Sequence, residues 1–404
     1  MLKRSALLAT ALLTVPGPAG ASLSPCPRSV GGAALDQASA LLENRLAAGG
    51  TNVLVSPYSL AQAVGLLATV STGETRTTVL EALGACLIDG AAPAEVAEQA
   101  DRIAEALHDD LFDLRAISGQ HGLAAANAVW LHDAEVPAGI AAVLQETYYA
   151  EVEGLDFREA ASAAAINDWV ATATRGKIDR MVDPAGLAEL AFVLANAMHF
   201  KADWLAPFDP AATAPGPFTL ASGDTVEVPL MTQTGRFAHH DGEAWQVLRL
   251  PFAAGTATGP AFETVLYLPG EAETGVPDFL GLARDTVEPG RGTVTLPKLR
   301  LEDSANLLAH LDGTALEPLA TGPVEVTPLV GRAMPLDQIL QKVTLEFDEQ
   351  GAEASAATAI AGTRSAPPDA FEFVADRPFF FMIWERDSRT PLVIGHVGDA
   401  AGAA

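Results

Sequence analysis

Hydrophobic and polar positions follow a helical period in the first half of the chain and a strand-like period in the second half. Helical spacing predicts helices over residues 33–48, 59–71, 75–83, 93–114, 140–149, 160–174 and, later, 304–311. Short apolar or alternating runs predict strands over residues 122–131, 191–200, 245–251, 264–268, 291–296, 343–347, 379–384 and 392–397. This separation of helices from strands favours an α+β fold over an alternating α/β array.

Residues 191–200 form a nearly continuous apolar run with Asn196 inside it. Strands that are covered on both faces have such runs, because neither face meets water. The sequence therefore predicts a central strand of a large sheet here.

A strand-like run leads into a stretch of small side chains at residues 342–360. Residues 342–348 alternate, Gly351 breaks the pattern, and the following Ala-rich stretch favours a helix by propensity alone. At a period of two, however, one face carries only small or apolar side chains. These are Ala352, Ala354, Ala356, Thr358 and Ile360, while Glu353 and Ser355 begin the other face. The stretch can therefore enter a sheet as a strand.

Composition indicates one continuous globular body rather than several linked domains. Of the 404 residues, 49% are hydrophobic and 19% are charged, and no repeat or long low-complexity linker divides them. The formal net charge of −27 repels nucleic acid and anionic membranes, so neither is expected as a partner. No segment after the first residues is apolar enough to span a bilayer.

The first 21 residues have the pattern of a secretory signal peptide, with Lys3 and Arg4 before an apolar stretch. The mature protein is expected to start at Ser22 and to be secreted or periplasmic, as in a bacterial exported protein. The only two cysteines, Cys26 and Cys86, are candidates for one disulfide in an oxidising compartment, and the alternative is two unrelated thiols.

Motifs of known enzyme classes are not found in the sequence. It has no nucleophile elbow, no His-Glu-x-x-His and no phosphate-binding glycine loop, and only His239 and His240 are adjacent among the histidines. We expect a protein that is not an enzyme and needs no metal or cofactor.

Five blocks, taken with residues 349–365, resemble the serpin family. They are NVLVSPYSL at 52–60, NDWV and TRGKI within 167–178, NAMHFKADW and PF within 196–208, ADRPFFFMI at 375–383 and PLVIGHV at 391–397. The resemblance implies one serpin domain over residues 22–400, with three β-sheets, about nine helices and an exposed reactive-centre loop at about 349–370. It also implies inhibition of serine proteases, in which a cleaved loop inserts into the central sheet and traps the protease covalently.

The resemblance assigns the hinge of this loop to a stretch of mostly small residues. The hinge residues are Glu349, Gly351, Ala352, Glu353, Ala354, Ser355, Ala356, Ala357 and Thr358. Their composition favours an inhibitor over a non-inhibitory serpin that acts as a binding protein or chaperone, and over an exported structural protein.

The bait bond has two main candidates. Arg364-Ser365 suits the acidic pocket of trypsin-like proteases, whereas the family's usual spacing points to Ser365-Ala366 and to elastase-like or subtilisin-like targets. Thr363-Arg364 and a cysteine protease as target also stay open.

Five residues resemble the family's sheet-opening region. They are Ser56, Ser59, Asn196, Trp204 and Gln341, where Gln341 stands at a position at which the family usually has His. The region of the family's heparin-binding helix is acidic here, so heparin activation is not expected, and the protein is expected to be a monomer.

Overall fold

The computed structural model describes residues 29–87, 91–118, 123–253, 262–271, 273–284, 288–350 and 370–403. The helices in this part of the chain are α1 (Val30–Ala47), α2 (Pro57–Val70), α3 (Gly73–Ala82), α4 (Pro93–Ser118), α5 (Ala138–Tyr148), α6 (Ala160–Ala173), α7 (Pro184–Leu187), α8 (Phe279–Arg284), α9 (Pro318–Thr321) and α10 (Thr327–Val330). None of the helices described is long and apolar enough to cross a bilayer.

The strands are β1 (Asn52–Val55), β2 (Ala124–His132), β3 (Glu151–Leu155), β4 (Phe192–Phe200), β5 (Ala214–Thr219), β6 (Thr225–Asp241), β7 (Trp245–Pro251), β8 (Phe262–Pro269), β9 (Glu288–Pro297), β10 (Leu299–Asn306), β11 (Val324–Glu325), β12 (Ala333–Met334), β13 (Gln338–Phe347), β14 (Phe371–Val374), β15 (Phe379–Glu385) and β16 (Thr390–Val397). Five of them form the central sheet, in the order β10-β13-β4-β2-β3. A nine-stranded sheet runs β1-β16-β15-β8-β7-β6-β9-β14, with β5 beside β6, and β11 pairs with β12. Helices together with separate sheets of nine, five and two strands confirm the predicted α+β class.

Strand β4 is buried along its whole length, which confirms the predicted central strand. Phe192 and Leu194 belong to a core shared with α1 and α2, whereas Val193 and Ala195 pack on the opposite face with residues of α6. Because helices cover both faces of the sheet at this strand, its side chains alternate between two apolar layers, and no polar face remains.

The helix predicted over residues 304–311 is wrong. Residues 299–306 instead pair antiparallel with β13, and only Leu307–His310 form a short 3-10 turn. The Asn306 side chain accepts the N–H groups of Leu308 and Ile339, which ends the strand and starts the turn. The backbone hydrogen bonds to β13 outweigh the local preference for a helix. A short window of sequence around residue 305 does not contain β13, so it could not predict this pairing.

Candidate functional site: the seam between two central strands

The seam is the pairing of β4 with β13 in the middle of the central sheet. The two strands run parallel, from Gln338 opposite Val193 to Leu345 opposite Phe200. On their outer sides, β13 pairs antiparallel with β10 and β4 pairs antiparallel with β2. Residues 351–369, which follow β13 closely, lie outside the described residues and include the candidate loop.

Gln341 links the middle of β13 to the start of α2. The Ser56 N–H donates to Gln341 Oε1 over 2.8 Å, and Gln341 Nε2 donates to the Ser56 carbonyl over 3.2 Å. Ser56 also caps α2, because its Oγ accepts the Ser59 N–H over 2.9 Å while donating to the Leu392 carbonyl over 2.6 Å. Both ends of this link are buried, so its hydrogen bonds are shielded from water.

Asn196 of β4 lies opposite Gln341 in the seam, but its side chain is hydrogen-bonded to β2 and not to β13. Its Nδ2 donates to Asn127 Oδ1 over 2.6 Å, and Asn127 Nδ2 donates to the Tyr148 carbonyl over 3.0 Å. Asn196 Oδ1 and Ser59 Oγ are buried and accept no described hydrogen bond. The expected polar cluster is thus two separate pairs, Ser56 with Gln341 and Asn196 with Asn127. Sequence reasoning missed Asn127, although a polar residue inside the apolar run 122–131 was the available signal.

His199 and Thr344 form a side-chain pair across the seam. His199 Nδ1 lies 2.8 Å from Thr344 Oγ1, and the two residues are opposite each other in the register. Burial, with a further effect of the Lys177 charge, lowers the pKa of His199 from 6.5 to about 4. The imidazole is therefore neutral at pH 7 and holds the seam by hydrogen bonding rather than by charge.

Lys201 forms an ion pair at the end of the seam, directly after the last residue of β4. Its Nζ lies 2.8 Å from the Glu346 carboxylate and 3.3 Å from that of Asp348. The hydrogen bond from Lys201 is the main cause that lowers the pKa of Glu346. The ion pair joins Lys201, which follows β4, to Glu346 of β13, and both side chains are partly shielded from water.

Trp204 fixes the residues at which the candidate loop begins. The ring is 3% exposed and stacks on Phe252 with ring centres 4.6 Å apart. Its indole N–H donates to the Asp348 carbonyl over 2.8 Å, and its backbone N–H donates to the Gln350 carbonyl over 3.2 Å. The chain is thus held in place up to residue 350.

Glu349 is the one predicted hinge residue inside the described part of the chain. Its carboxylate accepts from Thr213 Oγ1 over 3.0 Å and from Lys298 Nζ over 2.8 Å, and its carbonyl accepts the Phe208 N–H. The other hinge residues, Gly351 to Thr358, and the bait candidates Arg364 and Ser365 lie outside the described residues. Cys86 is disulfide-bonded, but Cys26 also lies outside that part, so their pairing stays a prediction.

The sequence search for clustered histidines missed His132. Its ring nitrogens lie 3.8 Å from Asp156 and 3.7 Å from Asp133, although Nδ1 already accepts the Phe157 N–H over 3.0 Å. The expectation that the protein is not an enzyme is therefore corrected, since it was drawn only from residues adjacent in sequence, whereas the fold brings His132, Asp133 and Asp156 together.

A family model described as Serpin (serine protease inhibitor) matches residues 33–400. The chain is 31% identical to Serpin-Z7 of Hordeum vulgare, over 87% of this chain and 90% of that protein. It is 28% identical to antitrypsin of Bombyx mori, over 83% of this chain and 85% of that protein. The solved structure of Arabidopsis AtSerpin1 in its native stressed conformation matches with a TM-score of 0.76 and 25% identity, over 93% of this chain and 99% of that one.

The chain therefore belongs to the serpin family, whose members are in general inhibitors of serine proteases. The predicted family and fold are confirmed. The bacterial origin is not supported, since matching relatives come from insects, plants and mammals. The expectations about heparin and about a monomeric state are not tested by these comparisons and stay predictions.

Proposed function

We propose that this protein inhibits a trypsin-like serine protease as a suicide substrate. The protease serine attacks the Arg364 carbonyl carbon, the peptide bond to Ser365 breaks, and the Ser365 nitrogen leaves as an amine. Arg364 is then held as an ester on the protease. The freed segment, with residues 352–360 as its inserting strand, enters the seam between β4 and β13 and carries the protease with it.

The parallel pairing of β4 with β13 is the observation that carries the proposal. A segment that leaves the end of β13 and folds back runs antiparallel to β13. Because β4 is parallel to β13, the same segment is antiparallel to β4 as well. One inserted strand would therefore replace a parallel pair by two antiparallel pairs, which are slightly more stable per residue and add a full set of backbone hydrogen bonds.

To open the seam, an incoming strand would take over the backbone hydrogen bonds of β4 and β13, which pair over eight residues, and would displace the few side-chain contacts across them. The His199–Thr344 hydrogen bond and the Lys201–Glu346 ion pair are single contacts that an incoming strand can displace. Small side chains on the inner face of residues 352–360 suit a closely packed sheet, since a large group there would need space that the core does not have.

The Arg364 side chain supports the assignment of the target. Its guanidinium offers a rigid set of donors that an acidic specificity pocket can bind bidentately. If Ser365 is the acyl residue instead, the target accepts small residues, as elastase-like and subtilisin-like proteases do.

We also propose that the protein is exported after removal of residues 1–21. The disulfide-bonded state of Cys86 supports this proposal, because structural disulfides are typical of oxidising compartments.

The proposal is tested by mixing the intact protein with trypsin, elastase, subtilisin and a papain-like cysteine protease, each in separate reactions. An SDS-stable band at the summed mass with trypsin is expected. If a complex forms with one of the other proteases and not with trypsin, the target belongs to the class of that protease. Cleavage with no complex for any of them favours the non-inhibitory alternative, a binding protein or chaperone.

A further inference from the structure

A cavity of about 450 Å³ lies between α6 and the edge of the central sheet, away from the seam. Strand β3, at the end of the sheet, contributes Glu151, Glu153 and Leu155, which alternate and so share one face. Helix α6 contributes residues at positions 165, 168, 169, 172 and 173, the spacing of a single helix face. Three of these are Ala165, Thr172 and Ala173, and their small side chains leave the space open. The volume is within the range of small-molecule sites in proteins.

Two tryptophans form the apolar wall. Trp130 is 1% exposed, and Trp169 meets it edge to face with ring centres 5.0 Å apart. In the part of the chain that is described, no group accepts a hydrogen bond from the Trp130 indole N–H. The wall therefore offers π-electron surface together with a donor that has no protein acceptor.

Three carboxylates surround this aromatic wall. Glu153 stands opposite Trp130 in the strand register, Glu151 is two residues before it, and Asp168 is adjacent to Trp169 on α6. All three are exposed, and none forms an ion pair with any cation in the described ranges. They repel one another in a protein that is already strongly acidic, and a bound cation would remove that repulsion.

We propose that this cavity, the α6 cavity, binds a small organic ammonium cation. Its positive head would sit against the Trp169 ring within reach of Glu151, Glu153 and Asp168, because a cation is attracted to an aromatic face. A ligand oxygen would accept from the Trp130 N–H. No residue of β4 or β13 lines the cavity, so the proposal stands whether or not the protein inhibits a protease.

Choline is the probe, because it has a quaternary ammonium group and one oxygen. Isothermal titration of the intact protein should show saturable binding of one choline per chain. The neutral carbon isostere 3,3-dimethyl-1-butanol has the same shape and should bind at least about tenfold more weakly, since it lacks the cation–π attraction. Equal binding of the two molecules, or no saturable binding of choline, would overturn the proposal.

Variants locate the site. The double change Glu151→Gln and Glu153→Gln should weaken choline binding by about fivefold, and Trp169→Leu by a similar factor. The matched control is Glu243→Gln with Glu271→Gln, which makes the same change in net charge at two exposed positions outside the cavity. Loss of binding in the control, or full binding in both cavity variants, would show that choline binds elsewhere.

The same titration with phosphatidylcholine vesicles distinguishes the source of the cation. Binding to free choline alone indicates a soluble ligand, and binding to both indicates a lipid headgroup. In each case the Glu151/Glu153 variant should bind more weakly.

Discussion

Gln341 and Ser56 are joined by two hydrogen bonds that connect the central sheet to the start of α2. The Gln341 amide accepts from the Ser56 N–H over 2.8 Å and donates to the Ser56 carbonyl over 3.2 Å. Glutamine can satisfy both groups at once because its side chain carries a donor and an acceptor on one carbon. This chain therefore holds the middle of β13 without the histidine that the family usually has there.

Gln341→Ala should destabilise the intact protein by about 1–3 kcal/mol, because it leaves the buried N–H of Ser56 without its acceptor. Thermal unfolding of the uncleaved protein measures the loss. Gln338→Ala is the matched control, since Gln338 is on the same strand and its side chain makes no described hydrogen bond. An equal loss in both variants would mean that the Gln341–Ser56 link contributes nothing specific.

Acid should weaken the folded state through His199. Its pKa is about 4 in the folded protein against 6.5 ordinarily, so the unfolded chain takes up a proton that the folded protein does not. Stability is therefore complete above pH 6.5 and falls as the pH drops towards 4, by at most about 3 kcal/mol. His199→Gln should flatten this slope in urea unfolding measured from pH 4 to 7. An unchanged slope would assign the acid sensitivity to other groups, such as His396, whose pKa burial also lowers.

Arg364→Ala should abolish the SDS-stable complex with trypsin-like proteases and leave thermal unfolding of the intact protein unchanged. The arginine is expected to occupy the acidic specificity pocket of the protease, and an alanine side chain has no positive charge to bind there. Ser365→Ala is the control and should retain the complex. Unchanged trypsin inhibition by the Arg364 variant would move the bait bond to another residue.

Ala354→Arg should convert the inhibitor into a substrate. By its period of two, Ala354 would belong to the small inner face of the proposed inserting strand, and burying an unpaired charge there would slow insertion until deacylation releases the protease. Glu353→Arg, one residue earlier and on the outer face, should still form the complex. Gel analysis shows both outcomes, as complex or as cleaved inhibitor.

Loop insertion is also tested by comparing wild-type protein before and after loop cleavage. The cleaved form should melt at a clearly higher temperature, because an inserted strand would complete the central sheet. Equal melting temperatures would mean that the loop does not insert.

Cys26 and Cys86 should give no free thiol in the exported, unreduced protein, as measured with a thiol reagent under denaturing conditions. The bridge would close a loop of about 60 residues and stabilise the fold by about 4 kcal/mol in the chain-entropy model. Two titratable thiols in the exported protein would rule out the bridge.

The local spacing of hydrophobic residues predicted many of the helices and strands. It failed where pairing with a strand distant in sequence determines the secondary structure. Strand β7 has the predicted bounds, and β4 differs from its prediction by one residue. Strand β3 was not predicted, because Glu151 and Glu153 give it an exposed, acidic face that resembles a loop. It becomes a strand by pairing with β2 at the edge of the sheet.

The sequence by itself determined the α+β class, the family and the small side chains at alternate positions of residues 352–360, because these depend only on period, composition and the order of motifs along the chain. Only the tertiary structure decided which polar residues meet. Asn196 bonds Asn127 on the neighbouring strand β2. Across the seam, His199 bonds Thr344 and Lys201 pairs with Glu346, and the partners of each pair are 145 residues apart in sequence. Those partners are set by strand order and register, which depend on how whole sheets pack, and no local window of the chain contains that information.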